Sequence, residues 1–220
     1  MGGFDFNTVI TGSGIPKDPP SSLPLGDELA VMAWARLLDA AARIAPTVGN
    51  TVAEVEPRLL DLRLEQLLEL CVGAGMDVDS VESVYAFMAD AEPNKNHQLM
   101  ASLPPHVHLT LNIDTLLEGA GFAPYAVAHL HGRVDRPRSV MTTVSQYLEG
   151  LEPALEEQLV RATRGRSVLV VGYSGRDFDV FPTIVRAVPR RLRWLVRPGS
   201  RLSPEVEAGL TQLRASGVRG

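Results

Sequence analysis

The stretch HLTLNIDTLLEGAG, residues 108–121, sets Asn112 and Asp114 two residues apart where an apolar run ends. A carboxamide can orient a water or a hydroxyl, and a carboxylate can stabilise a developing positive charge. Asp114 could simply cap the helical pattern that starts at once. Capping needs only one residue, which leaves Asn112 for a ligand. His131, followed by Gly132 in HLHG, is the candidate base, because imidazole titrates near neutral pH. In VITGSGI, Gly12, Ser13 and Gly14 make a turn through which a backbone can pass close to a pyrophosphate, with amide N–H groups as donors. In VLVVGYSGRD, Gly172 permits close approach and Ser174 offers a hydroxyl to a phosphate or ribose. One residue separates Gly172 from Ser174, so the GxSxG pattern of a serine nucleophile is absent. Arg176 and Asp177 read as a pair at a helix start, with Asp177 as its cap.

The other histidines are weighed by place. His106 and His108 alternate on one face of a strand, as do His129 and His131. The first pair begins its strand and the second ends its own, a strand length apart at roughly 3.3 Å per residue. The four are therefore not expected to converge on a metal. His129 reads as a satisfied inner residue.

These residues need elements to hold them. Residues 6–14, FNTVITGSG, read as a short β-rich run ending in Gly12 and Gly14, followed by a Pro-rich loop, IPKDPPSSLPLG, that can continue neither strand nor helix. Asp27 opens a long helical pattern that Pro46 ends. Residues 52–74, 79–90 and 94–103 are helical by the same periodicity. Then the pattern changes. Residues 106–111 and 126–130 read as strands with a helix between them from Asp114. Residues 145–163 form a helix, SVLVVGYS from 167 a strand, 177–188 a helix, 191–196 a strand. The last helix has Ser203 as N-cap and Pro204 at its first position. Strands alternating with helices imply an α/β, Rossmann-like doubly wound parallel sheet, with residues 27–103 as an inserted helical subdomain of a single domain over 1–220. Ligands of such sheets sit outside the carboxyl ends of the strands. Gly12-Ser13-Gly14, Asn112-Ile113-Asp114, His131-Gly132 and Gly172-Tyr173-Ser174 all fall there, and that convergence outweighs any single motif.

Bulk properties narrow the class. Hydrophobic residues make up 45% and charged residues 21% of the 220, as in ordinary globular proteins. The net charge of -5 argues against the chain as a whole binding nucleic acid. Residues 1–160 hold 9 Lys and Arg against 22 Asp and Glu, net -13, and residues 161–220 hold 12 against 4, net +8. Intramolecular pairing or a subunit contact accounts for that asymmetry, and the arginine run from 186 to 201 reads as a solvated face or interface. Cys71 is the only cysteine, which leaves no intrachain disulfide and no multi-cysteine zinc site. No apolar run reaches the roughly 18 residues of a membrane span. MGGFDFN has neither a secretory pattern nor the Ser or Thr that myristoylation requires at position 6. The expectation is a cytoplasmic protein without a membrane partner.

In this order the motifs resemble the sirtuin superfamily, and in particular its zinc-free, sirtuin-like branch, which includes NAD-hydrolysing defence effectors. VITGSGI looks like the family's GAG loop and SLPLGDEL like the segment after it. TLNIDTLLEGAG is similar to the TxNxDxLxExA strand and helix, AHLHG to the HG strand, VMTTVSQYLEGL to its continuation, and VLVVGYSGRDFDV to the GYSxxD segment. The likeness spans most of the chain except about 30–103.

The resemblance implies binding of NAD and cleavage of its nicotinamide–ribose bond. It would give Gly12, Ser13 and Gly14 the pyrophosphate, Asn112 the attacking water and ribose, and Asp114 the nicotinamide carboxamide. His131 would be the base, and Gly172 and Ser174 would contact phosphate and the adenosine ribose. It further implies an NAD glycohydrolase (NADase) of antiviral defence, working as a homo-oligomer or with a separate sensor or activator protein. An NAD or ADP-ribose sensor without turnover is the alternative, and a deacylase or ADP-ribosyltransferase a weaker one. Departures argue against deacylation: residues 133–167 lack the four-cysteine zinc module, Leu111 stands where deacylases have Gln, and the substrate-pairing strand has no counterpart. Pro16 stands where the family usually has Ser.

Overall fold

The computed structural model describes residues 5–26, 28–35, 62–104, 106–123, 125–136, 138–177, 179–196 and 202–220. Asp27, Pro46 and residues 52–61, which carry the ends of one predicted helix and the start of the next, lie outside the described residues.

Among the described residues, five strands form one sheet: β1 (Thr8–Thr11), β2 (Val107–Thr110), β3 (Val127–His129), β4 (Ser167–Val171) and β5 (Arg191–Leu195). All neighbours are parallel, in the order β3-β2-β1-β4-β5. The chain steps outward from β1 to β3, then returns and steps the other way through β4 and β5. Its winding reverses between β1 and β4, the place where such sheets open a crevice for ligands. A helical segment at 28–35, α1 (Leu64–Gly73), α2 (Val78–Glu82), a 3-10 helix (Ser83–Asp90) and α3 (Lys95–Ser102) lie between β1 and β2. The later connections carry α4 (Leu116–Gly119), α5 (Val144–Glu149), α6 (Pro153–Thr163), α7 (Val180–Ala187) and, last, α8 (Pro204–Ala215).

Side-chain alternation explains why both sheet faces are covered. Ile10, Leu109, Val168 and Val170 pack with Leu159, Ile184 and Val206 of α6, α7 and α8. Val9, Val127 and Leu169 point the other way, onto Met100 of α3 and Leu117 of α4. Strands with apolar residues at consecutive positions, such as Val9-Ile10 of β1 and Val168–Val171 of β4, are buried on both faces. A third cluster joins Leu23, Leu64, Leu68, Val81 and Tyr85 of the helical region to Leu116 of α4 and Val140 of the loop after β3.

The structure departs from the sequence-based expectations in detail. Residues 145–163 form two helices, not one, because Gly150 takes φ +83 and Pro153 starts a new first turn. The helix expected from 177 starts at Val180, after two aspartates have bonded its first amides. The N-cap position of α4 is Thr115. Asp114 sits one residue earlier and accepts from Leu116 N at 3.1 Å. Ser203 caps α8 with Pro204 in its first turn, as the sequence indicates.

Candidate functional site

Parallel pairing in register brings the four strand tips to one edge. After β1 and β4, at the reversal of the winding, two glycine turns meet backbone to backbone. Gly14 N donates to Gly172 O at 2.8 Å, and Gly12 N to Val171 O at 3.1 Å. A Cβ on Gly14 would stand 2.8 Å from the Gly172 Cα, and one on Gly12 2.8 Å from the Tyr173 Cα. Gly172 has φ +67. Only glycine permits this approach. Ile15 N turns back to Gly12 O at 3.0 Å, so the amides of 12, 14 and 15 are spent inside the chain. Ser13 and Ser174 are exposed, and their hydroxyls have no partner among the described residues. A phosphate arriving here would meet those two serines rather than a ring of free glycine amides.

Asn112 leaves β2 with its main chain held on both sides. Its N–H donates to Thr110 Oγ1 at 3.1 Å, and its carbonyl accepts from His129 Nδ1 at 2.8 Å. Its side-chain amide makes no hydrogen bond among the described residues. The next carboxylate, Asp114, is buried. Burial pushes its carboxyl up to about 6, against the smaller opposing effects of the Leu116 amide and the His129 charge.

His131 is buried at the tip of β3, with Nε2 3.1 Å from Oδ2 of Asp179. Asp179 precedes α7 and is buried too. Burial raises its carboxyl, but the hydrogen bond and charge of His131 outweigh that and leave it below the ordinary range. The carboxylate accepts from Nε2–H, so Nδ1 is the ring nitrogen that faces away from Asp179. Nδ1 has no partner among the described residues. The edge of Tyr147 packs on the ring at 5.0 Å between centroids. Beside Asp179, burial raises the carboxyl of Asp177, the Tyr173 hydroxyl lowers it, and Asp179 raises it again, for a net rise. Asp177 also bonds the amides of Val180 and Phe181 at 2.7 and 3.1 Å.

The loop after His131 is closed tightly. Met141 N donates to His131 O at 3.0 Å, and Arg133 N to Ser139 Oγ at 3.0 Å. Gly132 has φ +86, and a Cβ there would stand 1.9 Å from Ser139 O. In the HG pair, His131 is thus followed by the one residue that fits the turn.

Sequence reasoning placed His129 and His131 on one face. The structure separates them. β3 ends at His129, residues 130 and 131 turn, and strand alternation stops applying. His129 reaches Glu118 of α4 and His131 reaches Asp179 before α7. His106 and His108 are engaged elsewhere: His106 Nε2 lies 3.0 Å from His108 Nδ1, and His108 Nε2 3.1 Å from Thr11 Oγ1. No group of three or more metal-binding side chains forms among the described residues. A surface cavity of about 640 Å³ lies along the Pro-rich loop, lined by Lys17, Ser22, Phe87 and Glu92 among others, and includes none of the strand-tip residues. No helix among the described residues is long and apolar enough to cross a membrane.

Against this geometry stand the likenesses to known proteins. Residues 123–198 match the family model of the SIR2-like domain. The fold is that of a Sir2 homologue solved as an NAD complex, at a TM-score of 0.53 and 17% identity, covering 94% of this chain and 88% of that one. A mutant Sir2 homologue solved with ADP-ribose matches at 0.50 and 18%, covering 94% and 90%. A comparison with curated proteins finds no match. The domain match and the shared fold support the sirtuin-like reading of the motifs.

Proposed function

We propose that this SIR2-like chain is an NAD glycohydrolase, releasing nicotinamide and ADP-ribose from NAD. One observation carries the reading: Asn112 has its main chain held on both sides and its amide unbonded, at the same sheet edge as the His131–Asp179 pair. Complexes of structural relatives with NAD and ADP-ribose support the choice of nucleotide.

The chemistry suits these side chains. The nicotinamide–ribose C–N bond breaks and the electron pair leaves with nicotinamide, which departs neutral and needs no general acid. Water forms the new C–O bond, and its proton passes to His131 Nδ1 and then to solvent. The transition state resembles the oxocarbenium ion of glycoside cleavage. Asn112 would orient the water and the ribose, and Asp114 would hold the carboxamide and oppose the developing positive charge. Ser13 and Ser174 would donate to phosphate and ribose, with Gly12, Gly14 and Gly172 allowing the close approach. In this chain a four-cysteine zinc module has no ligands, since Cys71 stands alone.

Incubating pure protein with NAD in water enriched in the heavy oxygen isotope tests this. The expected products are nicotinamide and ADP-ribose labelled at the anomeric oxygen, with Asp179→Asn slower by about 100-fold or more. Calorimetric binding with NAD intact after hours would favour the sensor, and label passing from NAD to protein the transferase. An active Asp179→Asn equal to wild type would remove the role given to the pair.

A further inference from the structure

His129 is the first imidazole of HLHG, and the proposed reaction does not use it. Both its nitrogens are engaged: Nδ1 lies 2.8 Å from the Asn112 carbonyl and Nε2 3.0 Å from Glu118 Oε1. A carbonyl only accepts, so Nδ1 carries a proton. Burial raises the Glu118 carboxyl, but the hydrogen bond and charge of His129, with the charge of Arg133, bring it below the ordinary range. The ring is thus tied at one nitrogen to the Asn112 carbonyl and at the other to the Glu118 carboxyl group. Their side chains are only 4% and 10% exposed. Arg133 also reaches Oε1 at 2.7 Å and holds Asp135 at 2.7 Å, while Oε2 is buried without a partner among the described residues. Asp114 and His108 are the other ionisable groups that feel His129.

An ion pair this deep is a poor way to stabilise a fold, because desolvation offsets most of the attraction. Its hydrogen bonds end instead on the peptide that carries Asn112. We propose that Glu118 and His129 are positioning residues for Asn112: Glu118 holds the ring through Nε2, and the ring holds the Asn112 carbonyl through Nδ1 and so aims the amide. This rests on the reading of Asn112 as the amide that orients water and ribose.

Two isosteres separate positioning from packing. His129→Gln keeps an amide where Nε2 faced Glu118 but loses the donor to Asn112, whereas His129→Asn keeps a donor where Nδ1 stood. The kcat of nicotinamide release is expected to fall about 10- to 100-fold in His129→Gln, with KM little changed, and about tenfold less in His129→Asn. In an Asn112→Ala background, His129→Gln should cause no further loss. Equal losses in the two variants, or a loss that adds to Asn112→Ala, overturn the proposal and leave hydrolysis standing. If wild type releases no nicotinamide, the functional reading falls. Positioning is then read from the Asn112 side-chain amide resonance by nitrogen-15 NMR. A shift in His129→Gln but not in His129→Asn is expected, and identical behaviour refutes it. Should His129→Gln not fold, Glu118→Gln replaces it: with the carboxylate gone, kcat is expected to fall with KM little changed, and the Asn112 side-chain resonance to shift. An unchanged kcat and resonance reject the role of Glu118.

Discussion

Asp114 and Asp179 show how burial divides the carboxylates of one sheet edge. Asp114 has one amide donor and stands at about 6, raised from 3.8 chiefly by burial. Asp179 has the His131 ring and is lowered. For Asp114 the folded chain holds a proton that the unfolded chain has released between about pH 4 and 6, so stability falls as pH rises through that window. Asp114→Asn removes the term. Its stability relative to wild type should rise from pH 4 to pH 7 by about 3 kcal/mol, read by urea unfolding. A flat difference would contradict the burial of an ionised group. Wild-type kcat should lose activity as pH drops through about 6, a limb absent in the variant. Asn112, Asp114 and His131 were legible in the sequence because each breaks an apolar run where no loop needs it. Asp179 was not, though its signal was present. RDFDV offers two aspartates to one helix start, and Asp177 already bonds the amides of Val180 and Phe181. The argument that singled out Asn112 beside Asp114 would have singled out Asp179.

At the scale of elements, glycines decide where the tips can go. Gly12, Gly14 and Gly172 bring the β1 and β4 turns into backbone contact, and Gly132 turns the chain out of β3. Gly132→Ala meets both a positive φ and the Ser139 carbonyl, an atom no rotamer change can move. It should cost several kcal/mol, lower the thermal midpoint by roughly 10 °C or more, and weaken the placement of His131. A variant as stable and active as wild type would show that the loop after β3 does not hold His131 in place. The sequence marked Gly12 and Gly14 as a phosphate-binding turn. Their amides donate to carbonyls of the β4 turn, a tertiary contact that no local pattern encodes. The alternation of strands and helices followed from periodicity, whereas the break at Gly150 depends on a left-handed φ that the helical pattern of 145–163 conceals.

Across the whole molecule, charge and topology act together. The acidic first 160 residues and basic last 60 partly pair within the chain, as Arg186–Glu156 and Arg191–Asp5 do at 3.3 and 3.5 Å. Both contacts are largely exposed and add little stability. The doubly wound sheet was legible because its strands are apolar on both faces. The packing of the helical region was not: its core runs through Leu116 and Val140, residues far away in sequence. The central claim is that the tips of β2 and β3 make one hydrolytic site, and nicotinamide release tests it when measured for wild type, Asn112→Ala and His131→Ala at matched folded fraction. The account expects turnover in wild type and a loss of about 100-fold or more in each variant, with the double variant no worse than the weaker single. Release from either variant at the wild-type rate, or none from any oligomeric form of the wild type, would contradict it.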